Sequence, residues 1–127
     1  MRAIDTNVLV RFLTKDDPNQ YAKARELIEG GEIFVATTVL LEADWVLRSG
    51  YEYAHVDIIN ALRSFAGLAG VTLENPDVTA QALAWSQAGM DFADALHLAS
   101  SSQCGSFHTF DAKFIKAAPD SIEVLLP

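Results

Sequence analysis

Apolar residues follow two spacings along this chain, and the two spacings predict alternating strands and helices. Short apolar runs predict strands over 2–5, 33–35, 71–73, 106–110 and 122–125. Apolar residues three and four positions apart predict helices over 7–14, 18–29, 38–49, 54–66, 78–89, 92–102 and 112–117. Strands separated by helices require crossover connections, which favours an α/β protein with a mainly parallel sheet and helices on both faces.

Residues that start and stop helices support these bounds. Pro18 stands near the first position of the second helix, and Gly30-Gly31 follows its last residue. Thr37-Thr38 is predicted to cap the helix over 38–49. We interpret the first strand, 2–5, as fully buried and therefore central in the sheet.

Composition places the chain among globular proteins. Its 127 residues are 50% hydrophobic and 20% charged, which fits one domain spanning 1–127. No apolar run approaches the roughly 18 residues of a membrane span, and the first predicted strand leaves no room for a signal peptide. The single cysteine, Cys104, excludes an internal disulfide. We therefore expect a cytoplasmic protein with no membrane partner.

The charge of the chain argues, taken alone, against nucleic-acid binding. Nine basic and 17 acidic residues give a formal net charge of −8, whereas nucleic-acid binders usually carry a basic surface. Bound cations or a local cluster of basic residues would reconcile the charge with such a partner. The mean hydropathy of +0.17 indicates either apolar surface kept for a partner or a compact core rich in Ala and Leu.

Two aspartates stand where predicted strands end. Asp5 closes the first strand, and Asp111 follows the fourth, with Thr109 two residues before it. In an open α/β sheet the ligand crevice lies beyond the carboxyl ends of the strands, so these carboxylates meet if the two strands are neighbours. Each aspartate also precedes a predicted helix, and capping of that helix is the competing interpretation.

Glu42 flanks the apolar stripe of its predicted helix. It lies three residues after Val39 and four before Val46, whereas Asp44 and Arg48 fall on the opposite side, where charges are expected. A carboxylate at the margin of a buried face is costly unless it is paired or bound to a cation. The alternative is an ion pair with an arginine of another helix.

Asp94 interrupts a predicted helix that has almost no polar face. Alanine flanks it on both sides, so we expect a buried carboxylate that requires a cation. Asp91 lies three residues earlier. Asp91 either shares a helix face with Asp94 or caps the helix N-terminus, and the cap is favoured.

Together these acids form a donor set made only of oxygen. Clustered carboxylates repel one another, and a hard divalent cation such as Mg²⁺ or Mn²⁺ removes that repulsion. Such an ion can activate water and stabilise the charge of an in-line displacement at phosphorus. No His, Cys or Ser stands in a nucleophile–base pattern.

The same residues, in this order, resemble the PIN-domain ribonucleases, and more narrowly the VapC-type toxins of bacterial toxin–antitoxin pairs. The resemblance lies in Ile4-Asp5-Thr6-Asn7-Val8-Leu9, in Leu41-Glu42-Ala43-Asp44-Trp45-Val46-Leu47, in Asp91-Phe92-Ala93-Asp94-Ala95-Leu96 and in Thr109-Phe110-Asp111. Each piece alone is a weak signal, whereas the ordered set, which spans nearly the whole chain, is specific.

This resemblance implies a three-layer α/β/α sandwich around a mainly parallel sheet of four or five strands. It also implies catalytic and metal-ligating roles for Asp5, Glu42, Asp94 and Asp111, an accessory role for Asp91, and supporting roles for Thr6, Asn7 and Thr109. With Mg²⁺ or Mn²⁺ bound there, activated water would hydrolyse single-stranded RNA. The family often forms homodimers, and a cognate antitoxin typically blocks the site.

RNA binding at this net charge requires a local basic rim. The candidates are Arg11, Lys15, Arg48, Lys113 and Lys116. We expect a homodimer to form through the apolar faces of the helices near 38–66, with Tyr51 and Tyr53 as interface aromatics.

Two other classes of function stay open. One is another metal-dependent phosphoryl-transfer enzyme, although the aspartyl type needs an acid two residues after Asp5, where Asn7 stands. The other is a non-catalytic protein-binding module whose acids are structural. An increase in melting temperature with Mg²⁺ or Mn²⁺ would separate a metal enzyme from a binding module, because a bound ion stabilises the folded state by mass action.

Overall fold

Five short strands and seven helices alternate along residues 1–127, all of which the computed structural model describes. The chain divides into two compact units, Met1–Pro76 and Asp77–Pro127. In chain order the elements are β1 (Arg2–Ala3), α1 (Thr6–Thr14), α2 (Pro18–Glu29), β2 (Ile33–Val35), α3 (Thr37–Ser49), α4 (His55–Ala66), β3 (Val71–Leu73), α5 (Pro76–Gln87), α6 (Phe92–Ala99), β4 (Phe107–His108), α7 (Ala112–Ala117) and β5 (Val124–Leu125).

The first unit contains a parallel three-stranded sheet in the order β1-β2-β3. The middle strand is β2, whose Ile33 and Val35 are fully buried. The expectation of a buried, central first strand is therefore wrong. Arg2 and Ala3 are exposed, because the Arg2 guanidinium donates hydrogen bonds to the backbone oxygens of Leu27 and Gly31 rather than entering the core.

Helices cover this sheet through apolar stripes. Helix α1 packs against α2 and α3, and α3 packs against α4. Helix α4 buries Ile58, Ile59, Leu62 and Phe65, which follow the three- and four-residue spacing of a helix face. The predicted cap of α3 by Thr37-Thr38 is wrong: the helix begins at Thr37 itself. The backbone N–H of Thr37 donates to the Glu74 carboxylate at 2.9 Å.

The second unit contains three helices and the parallel pair β4-β5. Phe107 of β4 stacks on Phe114 of α7 with ring centroids 4.9 Å apart. Helix α6 buries Phe92, Ala95 and Leu96 in its first half. It ends at Ala99, three residues before its predicted end, and the fourth strand is likewise shorter than predicted.

The sequence-based prediction of an α/β protein with parallel strands is confirmed. The five strands are divided between a three-stranded and a two-stranded sheet, whereas a single sheet of four or five strands was expected. None of the helices combines the length and apolar character that a membrane span requires.

Gly31 and Gly70 approach each other closely just before β2 and β3 begin, and this contact fixes that end of the sheet. Gly70 adopts a φ of +86°, and a Cβ built there would lie 2.9 Å from the Gly31 Cα. Its carbonyl accepts a hydrogen bond from the Ile33 N–H at 2.8 Å. Only glycine meets both requirements, because other residues pay about 1–2 kcal/mol for the left-handed conformation before any clash is counted.

We expect Gly70→Ala to lower the free energy of unfolding by about 2 kcal/mol or more, measured by urea denaturation. The matched control is Gly67→Ala, because Gly67 has an ordinary φ of −87°. The nearest heavy atom to a Cβ at Gly67 lies 3.6 Å away. Equal stability of the two variants would contradict the close-approach interpretation.

Candidate functional site

Three aspartates of the second unit line one cavity. Asp91, Asp94 and Asp111 surround a space of about 400 Å³, together with Gly89, Lys113 and Ala117. Asp91 and Asp94 lie at the N-terminal end of α6, and Asp111 lies at the N-terminal end of α7. The structure thus brings together the three acids that the sequence placed in the second half of the chain.

Asp91 caps α6, which confirms the favoured interpretation of this residue. Its Oδ2 accepts a hydrogen bond from the backbone N–H of Asp94 at 3.1 Å. Asp94 lies in the first turn of the same helix. An acidic side chain at that position also interacts favourably with the helix dipole. The cap therefore places the two carboxylates near one helix terminus.

Asp111 follows β4 and caps α7, so the capping interpretation of its sequence position is confirmed. The condition for the other interpretation is not met by the sheets, because β1 pairs with β2 and β4 pairs with β5. Oδ1 of Asp111 accepts hydrogen bonds from the backbone N–H groups of Lys113 at 2.9 Å and Phe114 at 3.3 Å. The Thr109 hydroxyl accepts from the Asp111 N–H at 3.0 Å, and the Thr109 N–H donates to the Leu125 oxygen. Thr109 thereby fixes the backbone that carries Asp111.

The carboxylate of Asp94 differs electrostatically from an ordinary exposed aspartate. Its pKa is raised, first because partial burial penalises the charged form and then because Asp91 and Asp111 are negatively charged neighbours; His97 opposes the shift. Asp94 is only partly buried in the structure, whereas the sequence pattern predicts a buried residue. A cation in the cavity would favour the charged form of Asp94.

Asp5 in the first unit caps α1. Its Oδ1 accepts a hydrogen bond from the Val8 N–H at 3.0 Å, and the residue is exposed. Thr6 is buried at the first position of α1. Asn7 is exposed and lines a cavity of about 230 Å³ with residues of α1 and α2. The cap occupies one oxygen of the Asp5 carboxylate.

The expectation that Glu42 lies beside a buried face is wrong. Glu42 is exposed, and the acid on the buried face of α3 is Asp44, at 1% exposure. The buried positions are Leu40, Ala43, Asp44 and Leu47, so the apolar stripe is rotated from the one that Val39 and Val46 predict. An ion pair compensates the charge of Asp44: Arg48 donates to it at 3.1 Å, one helical turn away.

Three of the five predicted rim cations have partners within the chain. Arg11 donates to both oxygens of Asp16 at 3.1 Å, to the Tyr51 hydroxyl at 2.7 Å and to the Gln20 side-chain oxygen at 2.7 Å. Lys15 lies over the Tyr21 ring. Arg48 pairs with Asp44, as described above.

The other two rim candidates, Lys113 and Lys116, belong to the second unit. Lys113 and Lys116 are exposed on α7, and Lys113 lines the cavity of the three aspartates. The contacts of Tyr51 with Arg11 and Asp16 could not be predicted from local sequence, because Tyr51 is separated from them by 40 and 35 positions along the chain. The Asp44–Arg48 pair was readable from its four-residue spacing.

No three His, Cys, Asp or Glu side chains in the chain are close enough to hold a metal ion directly. The chemistry of the cavity nevertheless fits one class of ion. Its acidic side chains are all carboxylates. The pKa of Asp94 is raised first by partial burial and then by the negative charges of Asp91 and Asp111, which a cation would balance. Mg²⁺ usually keeps several water ligands and binds proteins through one or two carboxylates. These residues therefore fit a hydrated divalent ion better than an ion chelated by many side chains.

We expect Asp94→Asn to raise the melting temperature in the absence of metal by about 2 °C at neutral pH, because it removes a partly desolvated charge from an acidic neighbourhood. The Asp94 carboxylate destabilises the folded state fully at pH values above its raised pKa in the folded protein. This destabilisation disappears at pH values below the ordinary pKa that Asp94 has in the unfolded chain. The increase in melting temperature of Asp94→Asn should therefore become smaller as the pH of the thermal melts falls from about 7 to about 4.

The exposed carboxylate of Glu42 provides the control for this measurement, and Glu42→Gln should change the melting temperature little. A lower melting temperature for Asp94→Asn at neutral pH would show that the Asp94 carboxylate has a stabilising partner instead.

Comparison with known proteins gives one match. The sequence profile of the PIN domain family matches residues 3–119. A search of curated proteins found no match. PIN domains are generally nucleases that need divalent metal ions, and a fold of seven helices with small parallel sheets agrees with the α/β architecture of that family. Since the match covers most of the chain, including all the acids described above, this protein belongs to the PIN domain family.

Proposed function

We propose that this protein is a divalent-metal-dependent endoribonuclease that hydrolyses RNA phosphodiester bonds. The observation that carries the proposal is the cavity shared by Asp91, Asp94 and Asp111 in a chain of a nuclease family. The pKa of Asp94 is raised, first by partial burial and then by the charges of Asp91 and Asp111, and shifts of this kind are concentrated at functional sites.

Each residue of the cavity has a role in this proposal. Asp94, Asp91 and Asp111 would hold a hydrated Mg²⁺ or Mn²⁺, with water ligands of the ion between it and some of the carboxylates. The ion would lower the pKa of a water molecule and add positive charge beside the phosphate. Thr109 holds the backbone of Asp111 in place.

The remaining predicted site residues enter the proposal through the family motif. For Asp5 and Glu42 we propose the catalytic and metal-ligating roles that the motif implies, and for Thr6 and Asn7 the support of Asp5. For the RNA rim we retain Lys113 and Lys116, because both are exposed and Lys113 lines the cavity. Each lysine that contacts a phosphate adds a favourable, salt-dependent contribution to RNA binding.

We further propose that the protein is the toxin of a type II toxin–antitoxin pair and acts in the cytoplasm. Support comes from the ordered motifs around Asp5, Glu42, Asp94 and Asp111, which resemble VapC-type toxins. A cognate antitoxin would then restrain the nuclease by covering its site.

A homodimer is part of the same proposal. Exposed apolar side chains on or next to α3 and α4 support it: Trp45 is 62% exposed, Val56 59% and Tyr53 41%. Tyr51 is less suited to an interface, because it is partly buried and its hydroxyl donates to Asp16. Large exposed aromatic residues are enriched in the buried centres of protein interfaces.

Purified protein without a partner should cleave a mixed pool of single-stranded RNA in Mg²⁺ or Mn²⁺ and should be inactive in EDTA. Asp94→Asn should lower the rate by about 100-fold or more, because it removes a charged donor from the cavity. Asp120→Asn is the matched control, since Asp120 is an exposed acid of the same unit that does not line the cavity. Cleavage is followed by gel electrophoresis of end-labelled RNA.

Absence of cleavage together with an unchanged melting temperature in Mg²⁺ and Mn²⁺ would overturn the nuclease proposal and favour the protein-binding module. Equal loss of activity in Asp94→Asn and Asp120→Asn would remove the cavity from the mechanism.

The wild-type protein should have twice the monomer mass of 13.8 kDa in light scattering at micromolar concentration. Trp45→Arg should shift it toward the monomer, because it places a charge where the interface is proposed. Leu68→Arg is the control, since Leu68 is also exposed but follows α4 outside the proposed surface. A monomeric wild type would contradict the dimer.

A further inference from the structure

We infer that the Phe110 ring binds a nucleobase next to the phosphodiester bond that is cleaved, so that the RNA must be unpaired at that position. This role depends on the proposed nuclease function and assigns to it a residue for substrate binding. The acids and lysines described above contact phosphate and metal and carry no preference between paired and unpaired RNA. Phe110 would supply that preference.

Phe110 is unusual among the apolar residues of the chain. It is 85% exposed, more than any other large apolar side chain. The two neighbouring aromatic residues of the unit, Phe107 and Phe114, stack on each other, and Phe114 is buried. An aromatic ring left in water forgoes the favourable free energy of burial, roughly 25 cal/mol for each Å² that stays exposed. Phe110 therefore contributes little to the core of the fold.

The backbone on both sides of Phe110 is fixed. Before it, the Thr109 N–H donates to the Leu125 oxygen at 3.0 Å. After it, the Asp111 N–H donates to the Thr109 hydroxyl at 3.0 Å, and the Asp111 carboxylate caps α7. The ring is thus presented from an anchored segment, and its Cα lies about 3.8 Å from that of Asp111, which lines the acidic cavity.

The surroundings of Phe110 favour a nucleobase over an apolar protein surface. Its chain neighbours are Thr109 and Asp111, and Lys113 lines the adjoining cavity. Protein interfaces usually bury a group of apolar side chains at their centre, whereas the residues that directly flank this ring in the chain are polar. A base has an apolar face that stacks on the ring and polar edges that stay hydrated, and Lys113 offers a cation for the adjoining phosphate.

A base can stack on a protein ring only when it is not paired and stacked inside an RNA helix. Sequence-specific and stacking contacts to RNA accordingly concentrate on single-stranded segments, whose bases can be splayed out. Stacking is also tolerant of base identity, since every base has a π-face. We therefore expect a preference for unpaired RNA with little discrimination among the four bases at this position.

The test compares steady-state cleavage by the wild type, Phe110→Ala, Phe110→Trp and Leu68→Ala in Mg²⁺. The substrate is a single-stranded RNA taken from the cleaved pool, alongside the same RNA annealed to its complement. Phe110→Ala should raise KM about 5- to 100-fold with a smaller change in kcat. Phe110→Trp should keep the wild-type KM. Leu68→Ala should match the wild type, because Leu68 is an exposed apolar residue of the other unit and lies outside the proposed dimer surface.

A second measurement detects the stacking itself without cleavage. RNA carrying 2-aminopurine beside the cleaved bond is titrated with Asp94→Asn protein, with and without Phe110→Ala. Stacking quenches 2-aminopurine fluorescence, so quenching should be present with Phe110 and lost with alanine. Circular dichroism verifies that the variants are folded.

The outcomes separate this inference from the proposed function. Metal-dependent cleavage with an unchanged KM and unchanged quenching in Phe110→Ala would overturn the role of Phe110 and leave the nuclease intact. Equal cleavage of single-stranded and annealed RNA would overturn the requirement for an unpaired base. No cleavage by the wild type would overturn the proposed function and the role of Phe110 with it.

Discussion

Helix capping by carboxylates is the interaction on which the acidic residues of this protein depend for their positions. Asp5, Asp91 and Asp111 each accept a backbone N–H at the N-terminus of a helix. Each cap satisfies a donor that would otherwise lack a partner and places negative charge at the positive end of the helix dipole. Asp94 lies in the first turn of α6, and its pKa is the one raised among these acids. Partial burial is the first cause of that shift, and the charges of the capping residues Asp91 and Asp111 add to it.

This arrangement explains why the two interpretations of these aspartates, cap and ligand, do not compete. A cap in this chain occupies one carboxylate oxygen, for example Oδ1 of Asp111. The same hydrogen bonds that begin a helix also orient the carboxylate, and packing of the helix then fixes it in the fold. Residues held in this way need little further support to keep a binding geometry.

Much of the fold follows from local patterns, and the departures have identifiable physical causes. The bounds of α2, β2, β3 and α7 follow from Pro18, the Gly30-Gly31 pair and short apolar runs. The phase of α3 could not be read locally, because Asp44 occupies a buried position through its pair with Arg48 and so mimics a surface residue in the sequence. The place of β1 at one end of the strand order is likewise a matter of its pairing with the distant residues Ile33 and Phe34, which the strand's own pattern does not show.

The Arg11–Asp16–Tyr51 contacts lie at the opposite end of α1 from Asp5. Tyr51 and Thr14 donate hydrogen bonds to Asp16, and with Arg11 they keep its pKa below the usual range. Helix α1 spans nine residues, so its two anchored ends are roughly 13 Å apart. The Asp5 cap therefore holds one end of α1, and the contacts of Tyr51 with Arg11 and Asp16 hold the other. A substitution at Tyr51 or Asp16 would release the far end of the helix that begins after Asp5, although neither residue lies in that strand–helix turn.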